Sequence, residues 1–219
     1  MDNYHSLLIK IALLTSKKIV LVAASKTQPV EKIHVLYKLE HRDFGENYVQ
    51  ELVRKAIALK NLGCNDIRWH FIGHLQSNKI NALLPWVHCI HSVDSLKLGE
   101  NLSKSFEKIS PQKKLPIFIQ VNIDQAQTKF GVSSEETLGL LISLSKYKNL
   151  DILGLMCFPA PFKIQKDTSN PFQKLNQLEK TCQPYTKGYL SMGMSSDYEL
   201  AIKEGATHIR IGEALFGKR

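Results

Sequence analysis

Short runs of apolar residues alternate along this chain with longer stretches in which apolar positions recur every three to four residues. Tyr4 to Thr15 reads as an opening helix. Ile19 to Ser25, apolar almost throughout and rich in β-branched residues, reads as a strand buried on both faces. Pro29 suits the first turn of a helix over Val30 to Glu40. Asp43 to Glu46 is a second short strand, followed by a helix from Asn47 to Asn61, and Arg68 to Ile72 is a third. Ser77 caps a short helix that stops before Pro85. Val87 to Ser92 forms the fourth strand, and Asp94 caps a helix running to Lys108. Pro116 to Ile123 is the fifth, after which Ser133 and Glu136 form a capping box for a helix to Tyr147. Ile152 to Cys157, Gly188 to Met192 and Thr207 to Gly212 complete eight strands, with Asp197 or Ser196 capping the last intervening helix.

Strands and helices alternating through short connections predict an α/β fold, a single-domain (β/α)8 TIM-type barrel over residues 1–219. A doubly wound open sheet is the competing arrangement. Nothing in the composition divides the chain, and Pro159 to Asn170 is the one loop long enough to act as a lid.

Hydrophobic residues make up 43% of the 219 positions and charged residues 22%, ordinary values for a globular chain. The apolar stretch Ile9 to Leu14 is broken by Lys10 and followed by Lys17 and Lys18, so neither a secretory leader nor a membrane span is expected. Cys64, Cys89, Cys157 and Cys182 form no C-x-x-C pair, which argues against a disulfide framework or zinc knuckle and for a reducing cytoplasm. The net charge of +9 raises nucleic acid as a partner. The basic residues, however, are scattered singles and pairs such as Lys113-Lys114 with no aromatic interleaving, so nucleic acid is set aside.

In a barrel the active site is built where strands end. The unusual residues collect there: Lys26 after the first strand, Glu46-Asn47 after the second, Gly73-His74 after the third, Asn122 after the fifth, Ser195 after the seventh, Arg210 and Gly212 on and after the eighth. The turns Met192-Gly193-Met194-Ser195-Ser196 and Ile211-Gly212-Glu213 feed helix N-termini, where free amides and the helix dipole favour an anion such as phosphate. A lysine amine opposite a phosphate cradle suits a ligand with a carbonyl at its other end, held as a Schiff base. Pyridoxal phosphate and a sugar phosphate both meet that description. His88 and His91 point to opposite faces of a strand and cannot share a metal, and His70 and His208 read as packed or hydrogen-bonded barrel residues, so no metal site is expected. Cys157 reads as a packed small residue.

Several segments carry a closer resemblance: Ala24-Ser25-Lys26-Thr27-Gln28-Pro29, Phe44-Gly45-Glu46-Asn47-Tyr48-Val49-Gln50-Glu51, Trp69-His70-Phe71-Ile72-Gly73-His74-Leu75-Gln76-Ser77-Asn78-Lys79, and Leu190-Ser191-Met192-Gly193-Met194-Ser195-Ser196-Asp197. With Lys129-Phe130-Gly131-Val132, Gly154-Leu155-Met156 and Ile209-Arg210-Ile211-Gly212, they resemble, in order from Ile19 to Gly217, the pyridoxal phosphate homeostasis protein family. The resemblance implies a barrel like the N-terminal domain of alanine racemase, with pyridoxal 5'-phosphate as cofactor. It implies Lys26 as the Schiff-base lysine, Ser195 and the Gly212 backbone as phosphate ligands, and Asn47 and His74 beside the ring. Arg210 would face the pyridine nitrogen and, unable to give up its proton, keep that nitrogen unprotonated. The expected function is a non-catalytic carrier in vitamin B6 homeostasis, a cytoplasmic monomer whose partners are apo-enzymes that use the cofactor. An amino-acid racemase or decarboxylase and a Schiff-base aldolase are the alternatives. Racemisation needs a second acid/base opposite the lysine, which resembling racemases bring with an extra β-domain; this sequence runs to Arg219 directly after the eighth unit, and that favours the carrier expectation.

Overall fold

The computed structural model describes residues 2–126, 129–161 and 170–217. Eight parallel strands pair in chain order: β1 (Val20–Ala24), β2 (Asp43–Glu46), β3 (Arg68–Phe71), β4 (Val87–Val93), β5 (Leu115–Val121), β6 (Leu150–Cys157), β7 (Tyr189–Ser191) and β8 (His208–Ile211). β8 pairs back onto β1, Leu21 opposite Ile209 and Ala23 opposite Ile211, so the sheet closes into a barrel and the open-sheet alternative falls. An N-terminal helix, α1 (Asp2–Leu14), precedes β1. Between the strands lie α2 (Val30–Lys38), α3 (Val49–Asn61), α4 (Ile80–Leu83), α5 (Leu96–Ile109), α6 (Ser134–Leu144), α7 (Pro171–Thr181) and α8 (Tyr198–Lys203), and α9 (Glu213–Phe216) follows β8.

The period-3.6 stripes of these helices and the outward faces of the strands form one apolar shell. Leu52 and Leu59 of α3, Leu102 of α5, Leu141 and Leu144 of α6 and Phe172 of α7 are fully buried in it with Ile117, Leu155 and Ile209 of the strands. Burying each such side chain contributes about 1.5–3 kcal/mol, so the shell carries most of the fold's stability. The barrel interior is different. Branched aliphatic layers usually fill it, whereas here Phe118, Met156 and Cys89 share the buried space with His70, His91, Ser191, His208 and Arg210.

Helix starts depart from the sequence expectations in three places. Ser95, not Asp94, caps α5, its Oγ accepting from the Leu98 amide at 3.4 Å, while Asp94 lies 3.7 Å from His74. Ser77 does not cap; it begins a 3-10 turn (Ser77–Lys79) that runs into α4. Asp197 precedes α8 but turns back, its Oδ1 accepting from the Met194 amide at 2.6 Å and pinning the turn after β7. Half of the capping box of α6 forms: the Glu136 amide donates to Ser133 Oγ at 3.2 Å, while the Glu136 carboxylate accepts from the Ser133 hydroxyl at 2.8 Å in place of its amide. Of the expected lid, Pro159 to Asn170, residues 162–169 lie outside the described residues.

Gly154 of β6 shows how tightly the barrel closes: a Cβ there would stand 1.8 Å from the Tyr189 carbonyl oxygen of β7, a backbone atom that cannot step aside. Gly139 on α6 has nothing within 4 Å of such a Cβ. Gly154→Ala is therefore expected to lower stability to urea by about 3 kcal/mol, and Gly139→Ala to raise it by about 0.5–1 kcal/mol. Equilibrium unfolding of the two variants measures both, and equal midpoints would contradict this reading of the β6–β7 approach.

Candidate functional site

The C-terminal ends of the strands surround a cavity of about 1080 Å³. Lys26 reaches its wall from the end of β1, Asn47 from β2, Ile72 from β3, Phe158 from β6, Ser195 and Ser196 from β7, and Arg210, Gly212 and Glu213 from β8. Lys26, Asn47, Ser195, Arg210 and Gly212 are thus brought together, from stretches separated by up to the whole chain. His74 is not among them. It lines a neighbouring cavity of about 380 Å³ with Tyr48 and Phe130, stacked on the Phe130 ring at 3.8 Å, and Asn47 belongs to both walls. Gly73 makes that shared wall possible, since a Cβ there would lie 2.1 Å from the Asn47 carbonyl oxygen. Asn122 shapes the loop after β5, its side chain donating to the Ala126 carbonyl at 2.9 Å and accepting from the Ala126 amide at 3.2 Å.

The half-buried Lys26 stands on a strained turn. Thr27 has φ of +64°, a left-handed conformation that a β-branched residue adopts only when its surroundings enforce it. The enforcement comes from a cluster of buried charges under the turn. The Thr27 amide donates to Glu51 Oε1 at 2.7 Å, and Lys55 Nζ donates to Glu51 Oε1, Glu46 Oε1 and the Ser25 carbonyl, each at 2.7 Å. The Ser25 hydroxyl adds a 2.6 Å bond to Glu46 Oε1. Lys55 and Glu46 are 1% and 0% exposed, so neither charge is shared with water. Burial pushes the Glu46 carboxyl up, against the opposing hydrogen bonds of Lys55 and Ser25. Lys55 escaped the sequence reading; the only available signal was a lysine on the apolar stripe of α3, between Leu52 and Leu59, four residues after Glu51.

Arg210 is 4% exposed and is held by neutral groups: Nη1 donates to Ser191 Oγ and Nη2 to the Cys157 carbonyl, both at 2.8 Å. Burial pulls its pKa below the usual arginine value, and no carboxylate hydrogen-bonds to it among the described residues. Beside it the turns after β7 and β8 are stitched together by Ser195 Oγ, which accepts from the Ala214 amide at 3.3 Å. The amide of Glu213, first in α9, has no acceptor within its helix. At Gly212 a Cβ would come within 3.2 Å of the Ala24 carbonyl, so glycine keeps this cradle open. The arrangement offers one amine, one buried cation with no anionic partner in hydrogen-bond contact, and turn amides beside them, a set suited to an anionic ligand that also carries a carbonyl.

Burial drives the Cys157 thiol up to about 12, which keeps it protonated. His88 is exposed and His91 is fully buried, yet both rings contact that of His70, at 5.7 and 5.1 Å between centres, so the expected separation onto opposite faces is not kept across the register shift between β3 and β4. His70, Cys89 and His91 bring ligand atoms within 4.8 Å of one another, but the facing nitrogens of the two imidazoles are 2.9 Å apart in a hydrogen bond that uses both.

The family described as alanine racemase, N-terminal domain, matches residues 9–219. The pyridoxal phosphate homeostasis protein of Homo sapiens is 38% identical over 209 residues, covering 91% of this chain and 76% of the relative. That of Aquifex aeolicus (strain VF5) is 41% identical over 203 residues, covering 91% and 86%. PipY of Synechococcus elongatus PCC7942, solved with PLP bound, superposes with a TM-score of 0.86 at 33% identity, over 99% of each chain. An alanine racemase of Clostridium difficile 630 shares the fold, with a TM-score of 0.75 at 16% identity, over the whole of this chain and 57% of the racemase.

Removing one partner of the buried cluster leaves the other charge stranded. Lys55→Met is expected to cost about 3–5 kcal/mol and Lys55→Met with Glu46→Gln substantially less, since the second change removes the uncompensated carboxylate. Thermal unfolding of the single and double variants decides the matter, and a double variant no more stable than the single one would refute the pairing.

Proposed function

The chain belongs to the alanine racemase N-terminal domain family and, within it, to the pyridoxal phosphate homeostasis proteins; from that membership we propose that it binds pyridoxal 5'-phosphate as a Schiff base on Lys26 and holds it for intracellular vitamin B6 homeostasis without catalytic turnover. The observation that carries this reading is the cavity itself, which joins a half-buried lysine amine, the buried Arg210 guanidinium and the open Gly212 cradle. The residues fit the cofactor: its phosphate suits the turn amides and Ser195, and an unprotonated pyridine nitrogen is an acceptor of the kind a guanidinium with no carboxylate partner calls for. When bound, the cofactor supplies an aldehyde carbon that a primary amine captures with loss of water. Asn47 completes the wall beside it. His74, expected beside the ring, serves in this reading as a part of the adjoining cavity that braces Asn47.

A holding role is favoured over racemisation by the groups along the wall. Two-base chemistry needs an acid/base on each face of the substrate. Besides Lys26 the described lining offers the Glu213 carboxylate, which is exposed and follows β8, the immediate barrel neighbour of β1, and Arg210, which does not release a proton. The four buried, unpaired cysteines suit a reducing cytoplasm, and no helix of the described residues is long and apolar enough to cross a membrane. The same reading extends to a monomer whose protein partners are apo-enzymes that use the cofactor.

Protein purified with pyridoxal 5'-phosphate is expected to be yellow, and borohydride treatment followed by peptide mass analysis should place a pyridoxyl group on Lys26. Lys26→Ala should lose both, and Arg210→Ala should retain the cofactor more weakly. A colourless protein with no modified lysine would end this proposal, and interconversion of L- and D-alanine lost in Lys26→Ala would convert the holder into an enzyme.

A further inference from the structure

One continuous file of polar side chains crosses the barrel interior from its N-terminal end to the cavity. Arg68 grips Asp43 with two bonds, Nε to Oδ1 at 2.7 Å and Nη2 to Oδ2 at 2.6 Å. Asp43 Oδ1 lies 3.0 Å from His70 Nε2, His70 Nδ1 lies 2.9 Å from His91 Nε2, and His91 Nδ1 lies 2.8 Å from Ser191 Oγ. Ser191 Oγ in turn meets Arg210 Nη1 at 2.8 Å. His70, His91, Ser191 and Arg210 are all buried, so the file must satisfy itself.

Counting protons gives the file a direction. Burial works against the charge on Asp43, but the hydrogen bonds of Arg68 and His70 outweigh it and hold the carboxyl well below the usual carboxylate range. A carboxylate only accepts, so His70 Nε2 carries a proton; a guanidinium only donates, so Ser191 Oγ accepts from Arg210. Three arrangements remain. In the first, both imidazoles are neutral with the proton on Nε2, His91 donates to His70, and the Ser191 hydroxyl donates to His91 Nδ1. In the second, His70 is an imidazolium and His91 carries its proton on Nδ1; in the third, His91 is the imidazolium and donates to both His70 Nδ1 and Ser191 Oγ. In both of these the Ser191 hydroxyl proton has no place in the file.

The surroundings of His91 favour the first arrangement. His70 on β3 and His208 and Arg210 on β8 face it, His88 of its own strand β4 lies against the His70 ring, Phe118 of β5 covers it at 4.6 Å between ring centres, and the nearest carboxylate in the file, Asp43 of β2, lies beyond His70. Its burial among potential cations drives its pKa far down, and burial takes His208 down to about 3. An added charge would have no compensation there.

We propose that His91, acting through Ser191, is a positioning residue for Arg210, and that the file Arg210–Ser191–His91–His70–Asp43 holds the guanidinium in place by neutral dipoles in one fixed direction, leaving its positive charge uncompensated toward the cavity. A direct carboxylate partner would fix Arg210 equally well but would neutralise the charge offered to a ligand. This deepens the cofactor reading of the cavity, since an acceptor nitrogen that must stay unprotonated is best met by an undiminished cation.

The relay is tested without any cofactor by two-bond proton–nitrogen correlation spectra of the histidine rings in the purified wild-type protein. At about pH 8, His70 and His91 should each show one protonated and one bare nitrogen, with the proton on Nε2. An Nδ1–H tautomer at His91, a charged His91, or two bare facing nitrogens with a metal between them would overturn the assignment. A second measurement reads the consequence for Arg210 through retention and the visible spectrum of bound pyridoxal 5'-phosphate. Ser191→Ala and His91→Leu should each weaken retention about fivefold and shift the band, whereas His91→Gln, which can donate to His70 and accept from Ser191, should restore both. Wild-type retention and spectrum in Ser191→Ala and His91→Leu would refute the positioning role. Should wild-type protein bind no cofactor, the functional reading fails while the tautomers still decide the relay.

Discussion

A guanidinium sealed inside a barrel must find hydrogen-bond acceptors there or forfeit several kcal/mol of hydration. Much of the interior of this molecule is organised around meeting that demand for Arg210 without an anion in contact with it. The requirement explains why histidines and a serine occupy positions that branched aliphatic side chains fill in other barrels. It also explains why the apolar shell between strands and helices is so complete: the stabilisation that a conventional interior would add has to come from outside the barrel wall.

The two ends of the site solve opposite problems. At Arg210 a charge is kept undiminished by distance from its nearest carboxylate in the file, with two imidazoles and a hydroxyl between. Under Lys26 charges are crowded: Lys55 is shared between Glu46 and Glu51 through 2.7 Å contacts, and their order fixes a turn that Thr27 would not adopt unaided. One cluster thus supplies rigidity, and the other supplies electrical character.

The fold was legible because its signal is repetitive. Eight apolar runs separated by amphipathic stretches leave few topologies, and the strands fall within a residue or two of where the runs lie, as at Asp43–Glu46 and Arg68–Phe71. Helix caps were less legible, since Asp94 and Ser95, or Ser196 and Asp197, are chemically equivalent candidates and only the path of the loop selects one. At the site, Lys26, Asn47, Ser195, Arg210 and Gly212 stood out because each follows or ends a strand. Lys55 and the Asp43–His70–His91 file did not, because a polar residue within an element looks the same in sequence whether it meets solvent or another buried polar group. His74 follows a strand as the others do, yet its side chain turns to Phe130, a stacking that depends on the loop after β5.

Gly73 and Asn47 meet too closely for any side chain to separate them, so the two cavities have a party wall one peptide thick. A ligand or side chain that shifted the Asn47 backbone from the second cavity, at Tyr48, His74 or Phe130, would therefore move a residue that also walls the first.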